Sequence, residues 1–408
     1  MKYVKHIATS AMLTATLSAT SYAGTLVINS DASDPAPKQA WAEIVKRFEA
    51  ENPDITVKYN LYDHEAYKTT IRNWLVTSPP DVVFWYAGNR MKTFVDRGLF
   101  EDVSDIWAEN NMQQDFKSAA PAMTVNGKQW GVPYTYYQWG VYYRKDLFEK
   151  YGIAEPKTWE ELKAAAATLK KNQVAPFAIG TKYLWTAAGW FDYINMRTNG
   201  LDFHIELMDG KVPYTDERVK KTFENWKELV EPGYYLDNHA SYSWQEAQPF
   251  LYNGKAAMYL IGNFITPSFP KELDGKMGFF QFPVIDSSVP LAEDAPMDTI
   301  HIPSKAKNKA DARKFLEFVA RAETQQLINE KMLQIPTNSK AKAKDNEFLN
   351  KGVTMLGSAA GTAQFYDRDT SPAMAKEGMK GFQEFMVKPE RLTSILKRLE
   401  KVRKREFK

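Results

Sequence analysis

The carboxyls and imidazoles of this chain are the groups that could do acid–base or metal chemistry. Glu160-Glu161 and Asp367/Asp369 are paired acids, the type that can divide general acid and general base roles. The first pair opens a helical segment, where acids complement the backbone dipole, so its position has a structural reason. The five histidines, His6, His64, His204, His239 and His301, show neither H-E-x-x-H nor H-x-H spacing. No G-x-S-x-G elbow, G-x-x-x-x-G-K-[ST] loop or G-x-G-x-x-G loop occurs. Cysteine is absent, which removes thiol catalysis, Cys-based zinc sites and disulfides. Neither a metal nor a cofactor is expected.

Non-covalent chemistry is better supplied. Eleven tryptophans and twenty-one tyrosines are more than core packing tends to recruit. The run VPYTYYQWGVYYRKDLF (132–148) alone carries Tyr134, Tyr136, Tyr137, Trp139, Tyr142, Tyr143 and Phe148. Aromatics recur beside Gly, Asn or Asp at strand ends and helix starts: Trp85-Tyr86, Tyr134 to Trp139, Trp185, Trp190, Trp244, Phe264 and Tyr366-Asp367. That combination suits a sugar. The apolar C–H face of a pyranose packs on an electron-rich ring, and its hydroxyl rim takes carboxylates, amides and Arg. An aromatic cleft with two carboxyls also suits a glycoside hydrolase, and spacing between distant segments does not decide between them.

The elements that must position these residues read as α/β. TLVINSD is a short apolar strand, and Ala40, Trp41, Ile44, Val45 and Phe48 follow at helical spacing after Asp34-Pro35. ITVKY is a strand, Tyr67, Ile71, Trp74 and Leu75 mark a helix ended by Pro79-Pro80, and DVVFW is a fully apolar run. Strand–helix alternation with short links predicts a parallel sheet, with ligands outside the carboxyl ends of its strands. The pattern then repeats in kind. PKTWEELKAAAATLKK is a helix with a Thr158–Glu161 capping box, APFAIG a strand, and QEAQPFLYNGKAAMYLIGNF a helix, Gly turn and strand. KNKADARKFLEFVARAETQQLINEKM reads as one long amphipathic helix. The basic tail LKRLEKVRKREFK has Ile395, Leu396, Leu399 and Val402 on one helical face, so its charge is a solvated surface rather than a nucleic-acid patch. No tandem repeat or low-complexity linker separates the two halves.

The first residues carry Lys2 and Lys5, an Ala/Thr/Leu-rich stretch and Ser21-Tyr22-Ala23, and no acid precedes Asp31. That is the pattern of a secretory signal peptide over 1–23, too short in its apolar part to anchor. The formal net charge is +3, and two lysines of that excess fall in this leader. Charge therefore gives no case for nucleic acid or an anionic membrane as partner.

FEAENPDITVKY, PPDVVFWYAGNRMKTFVDRGLFEDVSDIW, VYYRKDLFEKYGIAEPKTWEEL, SWQEAQPFLYNGKAAMYLIGNF and LQIPTNSK occur in this order. They resemble the extracellular solute-binding proteins of ABC sugar importers, the maltose-binding-protein-like group. The resemblance implies a two-lobed periplasmic binding protein fold (type II), each lobe a mainly parallel sheet flanked by helices, with a hinge of two or three crossings. Lobe one is then 24–133 plus 298–337, and lobe two 134–297 plus 338–408. It also implies a monomer in the periplasm, here of a Gram-negative cell, that captures a mono- or oligosaccharide as its lobes close and delivers it to membrane permease subunits. It is no enzyme in that family, and a polyamine or peptide is the alternative solute. Carried over by position, Asp31 contacts hydroxyls, and in a second loop Trp85 stacks on the sugar, with Tyr86 and Asn89 beside it. Tyr134 and Tyr137 lie at the first crossing, Trp185, Trp244 and Phe264 stack, Tyr137, Asn263 and Asp367 join Asp31 in recognising hydroxyls, and Tyr366 stands beside Asp367.

Overall fold

The computed structural model describes residues 24–408. The signal-peptide reading of 1–23 lies outside the described residues. Buried apolar side chains divide into two clusters. One draws on Leu26 to Tyr134 and Met297 to Met332, the other on Tyr137 to Ala292 and Met355 to Val402. Each cluster surrounds its own sheet, giving two α/β lobes.

The sheet of lobe one has five strands, in the order Ile55–Leu61, Gly24–Ser30, Val82–Tyr86, Met297–His301, Val132–Tyr136. Gly24–Ser30 runs parallel to both of its neighbours. The lobe-two sheet orders Met277–Phe280, Trp139–Arg144, Ala256–Gly262, Ala175–Phe177. Strand direction departs from the mainly parallel expectation: of the seven ladders in the two sheets, three are parallel. The crossings explain it. Met297–His301 enters lobe one from the cleft, whereas its neighbours end there, so it is antiparallel to Val82–Tyr86 and Val132–Tyr136. Trp139–Arg144 likewise enters lobe two from the cleft and pairs antiparallel with Ala256–Gly262, placing Trp139 opposite Gly262.

The apolar spacings become buried faces. Ala40, Trp41, Ile44 and Phe48 are the inner face of Pro35–Glu51, and Ile395, Leu396, Leu399 and Val402 that of Leu392–Glu406. The Thr158–Glu161 capping box forms, with a second at Ser243–Glu246. The expected long helix is two, Lys309–Ala320 and Ala322–Met332, because Arg321 is extended (φ −62°, ψ 144°). The break lets the second piece pack on Pro35–Glu51 while the first lies along the sheet. Tyr142 and Tyr143 face opposite sides of their strand, as the period of two requires: Tyr142 meets Phe269 and Phe348, and Tyr143 meets Phe148 and bonds Glu155. No helix among the described residues is long and apolar enough to cross a membrane.

Candidate functional site

The ends of the lobe-one strands meet the aromatic segments of lobe two across one cavity of about 130 Å³. Ser30 ends a strand, and the chain beyond it supplies Asp31, Ser33 and Asp34. The strand Ile55–Leu61 leads to His64, and Val82–Tyr86 finishes on Tyr86. These are carboxyl ends of parallel strands, the location expected for a ligand.

Lobe two supplies a contiguous set of rings: Tyr137, Trp139, Trp185, Trp244, Phe264 and Phe365. Phe264 stands edge-on to Trp244 at 5.0 Å and to Tyr137 at 5.3 Å, and Phe365 lies 4.7 Å from Trp139 at 31°. Two glycines make this packing possible. A Cβ on Gly262 would come within 2.3 Å of the Phe264 ring, and one on Gly189 within 2.7 Å of Trp139. Lobe one supplies Asp31, Asp34, His64, Lys68, Asp298 and Gln334 along with the rings of Tyr86 and Tyr134, and lobe two adds Asp367 and Arg368 to its rings.

The charges are arranged in pairs. His64 Nδ1 lies 3.1 Å from Asp31 Oδ2. Burial disfavours charge on both, and Lys68 also opposes it on His64. Their shared hydrogen bond and attraction prevail, so Asp31 is held below and His64 above its ordinary value. Arg368 is the central cation. It donates to the Tyr137 hydroxyl at 2.6 Å and to Asp298 Oδ1 at 3.1 Å, and lies 4.0 Å over the Tyr86 ring. Burial pushes the Asp298 carboxyl up to about 6 against the pull of Arg368. Arg90 donates to Asp367 Oδ2 at 2.7 Å; burial raises Asp367, but Arg90 and Arg368 outweigh it and hold the carboxylate below its usual range. Two hydrogen bonds span the lobes at the mouth, from Trp185 Nε1 to Glu65 (3.2 Å) and from Gln245 to Asp34 (3.4 Å).

Of the residues singled out in the sequence, the cavity brings together Asp31, Tyr86, Tyr134, Tyr137, Trp185, Trp244, Phe264 and Asp367. Four stand elsewhere. Trp85 points away from Tyr86 by the alternation of the strand, packs on Phe94 at 5.1 Å and is 3 % exposed, so it is core. Asn89 donates to the Asp369 carbonyl, Asn263 to the Leu333 carbonyl, and the Tyr366 hydroxyl meets that of Tyr214 at 2.7 Å. Those three hold the hinge region and the lobe-two interior rather than the cavity wall.

The sequence reading missed His64, Lys68, Trp139, Asp298, Phe365 and Arg368 as wall residues. His64 had a signal, since it follows directly on a strand end, and Trp139 lies in the aromatic run. Asp298 and Arg368 had none, because their pairing joins segments 70 positions apart. Among the described residues no group of three or more His, Asp or Glu side chains could hold a metal ion.

Residues 32–326 match the family model of the bacterial extracellular solute-binding proteins, and the chain belongs to that family. Its fold is that of the maltose-binding-protein-like group. The solved structure of the bacterial solute receptor AcbH, described as having an exclusive preference for β-D-galactopyranose, is 30 % identical. The match covers 95 % of this chain and 100 % of that one, with a TM-score of 0.88. An uncharacterized ABC transporter extracellular-binding protein of Pyrococcus horikoshii is 29 % identical over 77 % of this chain and 72 % of its own. The multiple sugar-binding protein of Streptococcus mutans is 26 % identical over 70 % and 68 %.

Proposed function

We propose that this protein is the periplasmic sugar receptor of an ABC importer, taking a single pyranose ring between two closing lobes and presenting it to the membrane permease. The observation that carries the reading is one cavity that joins aromatic rings with polar and charged groups from both lobes. A pyranose needs both, a ring to lie on and hydrogen-bonding groups at its rim. The cavity itself is near the ~150 Å³ of one that takes a single benzene, which suits one ring, and a further space of about 240 Å³ adjoins it at Ser33, His64 and Trp244. The preference described for AcbH favours a hexose of the galactose type.

In this reading the sequence-based lobe boundaries shift to the ends of the crossing strands, since Val132–Tyr136 and Met297–His301 belong to the lobe-one sheet. Residues 24–136 with 297–337 form lobe one and 137–296 with 338–408 lobe two, and the receptor acts as a monomer after its leader is removed. Trp185, Trp244, Phe264 and Phe365 stack on the sugar, and Asp31, His64, Asp298, Asp367 and Arg368 recognise hydroxyls. The receptor does no chemistry on its ligand. A thermal-shift panel of monosaccharides, disaccharides, amino acids and polyamines tests this, because a ligand that binds only the native state raises its melting temperature. D-galactose or a close epimer is expected to shift it and to be recovered unchanged. A shift with polyamines or amino acids alone, or hydrolysis of an offered glycoside, would contradict the reading.

A further inference from the structure

Phe365 has φ +123° and ψ 144°, a conformation that a residue with a side chain rarely adopts. Such strain persists only where neighbours over-determine it, and here they do. Asp369 Oδ2 accepts from the Gln364 N–H at 2.8 Å and the Phe365 N–H at 3.3 Å. Asp192 Oδ2 accepts from the Tyr366 N–H at 2.7 Å. The Phe365 carbonyl accepts from the amides of Arg368 (2.8 Å) and Asp369 (2.9 Å). Tyr366 is fixed in the lobe-two core, its ring 4.7 Å from Phe382. With Tyr366 pinned inward, Phe365, Asp367 and Arg368 all line the cavity from the same turn.

We infer that Asp192 and Asp369 are positioning residues of the ligand site: they hold the strained Phe365–Arg368 turn so that its ring, carboxylate and guanidinium meet the ligand. Neither carboxyl is on the cavity wall. Asp192 is fully buried, two turns along the helix Trp185–Asn199 whose first residue is itself on the wall. One helix thus sets both the Trp185 ring and the backbone that carries Phe365. The inward placement has a local consequence. Asp294, also fully buried, lies close enough to Asp192 and Asp369 for their charges to oppose one another. A carboxyl group at this spot serves the turn despite crowding from other acids, which a purely packing role would not call for.

The inference rests on the proposed sugar site, and the experiment separates the two. D-galactose binding is measured for wild type, Asp192→Ala, Asp192→Asn, Asp369→Ala and Asp369→Asn, alongside amide hydrogen exchange of each protein without ligand. The Ala variants are expected to bind at least about tenfold more weakly. The Asn variants should recover to within about threefold, because an amide oxygen still accepts the backbone N–H. Exchange at Gln364 and Phe365 should accelerate in Asp369→Ala, and at Tyr366 in Asp192→Ala. Ala variants that bind like wild type, or Asn variants as weak as the Ala variants, would overturn the inference. So would open-chain exchange of these three amides in wild type, a readout that stands even if an Ala variant does not fold. Should wild type take no sugar, the proposed function fails, and the exchange data still decide the hold on the turn.

Discussion

Trp85 and Trp185 look equivalent in the sequence, each an aromatic beside polar residues, and the structure separates them. Trp85 is core, so Trp85→Ala should cost about 3–5 kcal/mol of stability, read by denaturant unfolding. Trp185 lines the cavity and reaches Glu65 across the cleft. Trp185→Ala should leave stability within about 1 kcal/mol and weaken sugar binding by about tenfold or more, read by titration. The Asp31–His64 pair gives a pH signature. His64 is raised, so its share of the stabilisation is complete below the ordinary 6.5 and is lost as pH rises through its folded value. Asp31 is lowered, so its share is complete above the ordinary 3.8 and is lost as pH falls. The difference in melting temperature between wild type and His64→Gln should therefore peak near about pH 5 and shrink by about pH 9.

The crossing strand Val132–Tyr136 is fixed by a buried amide network rather than by apolar packing alone. Gln325 donates to the Pro133 carbonyl and accepts from the Thr337 and Asn338 amides; Asn329 donates to the Tyr134 carbonyl. Two crossings are thereby tied to one helix, Ala322–Met332. Gln325→Ala strands buried backbone groups at about 1–3 kcal/mol each, so a loss of roughly 3 kcal/mol is expected in chemical denaturation. This is also where sequence reading reached its limit. Helix faces, strand ends and capping boxes were legible because period, turn residues and caps act within a few positions. Strand direction at the crossings, the Arg321 break and the Asp298–Arg368 pair were not, because each depends on where distant segments meet. Trp85 was misplaced for a different reason: on a strand buried on both faces, apolar residues on both sides hide which side is the cleft.

At the scale of the molecule, both lobes contribute to the cavity: lobe two most of the rings together with Asp367 and Arg368, and lobe one Asp31, Asp34, His64 and Asp298 together with Tyr86 and Tyr134. The two lobes are joined across the cavity by the Arg90–Asp367 and Arg368–Asp298 pairs. Under the proposed function, a ligand held by residues of both lobes would favour hinge closure around it. The most direct test is calorimetric titration of the purified protein with D-galactose, D-glucose and a disaccharide. The account predicts saturable one-to-one binding of a monosaccharide, at about micromolar affinity or tighter, with the sugar recovered intact. Absence of binding to every monosaccharide, with saturable binding of a non-carbohydrate solute instead, would contradict it.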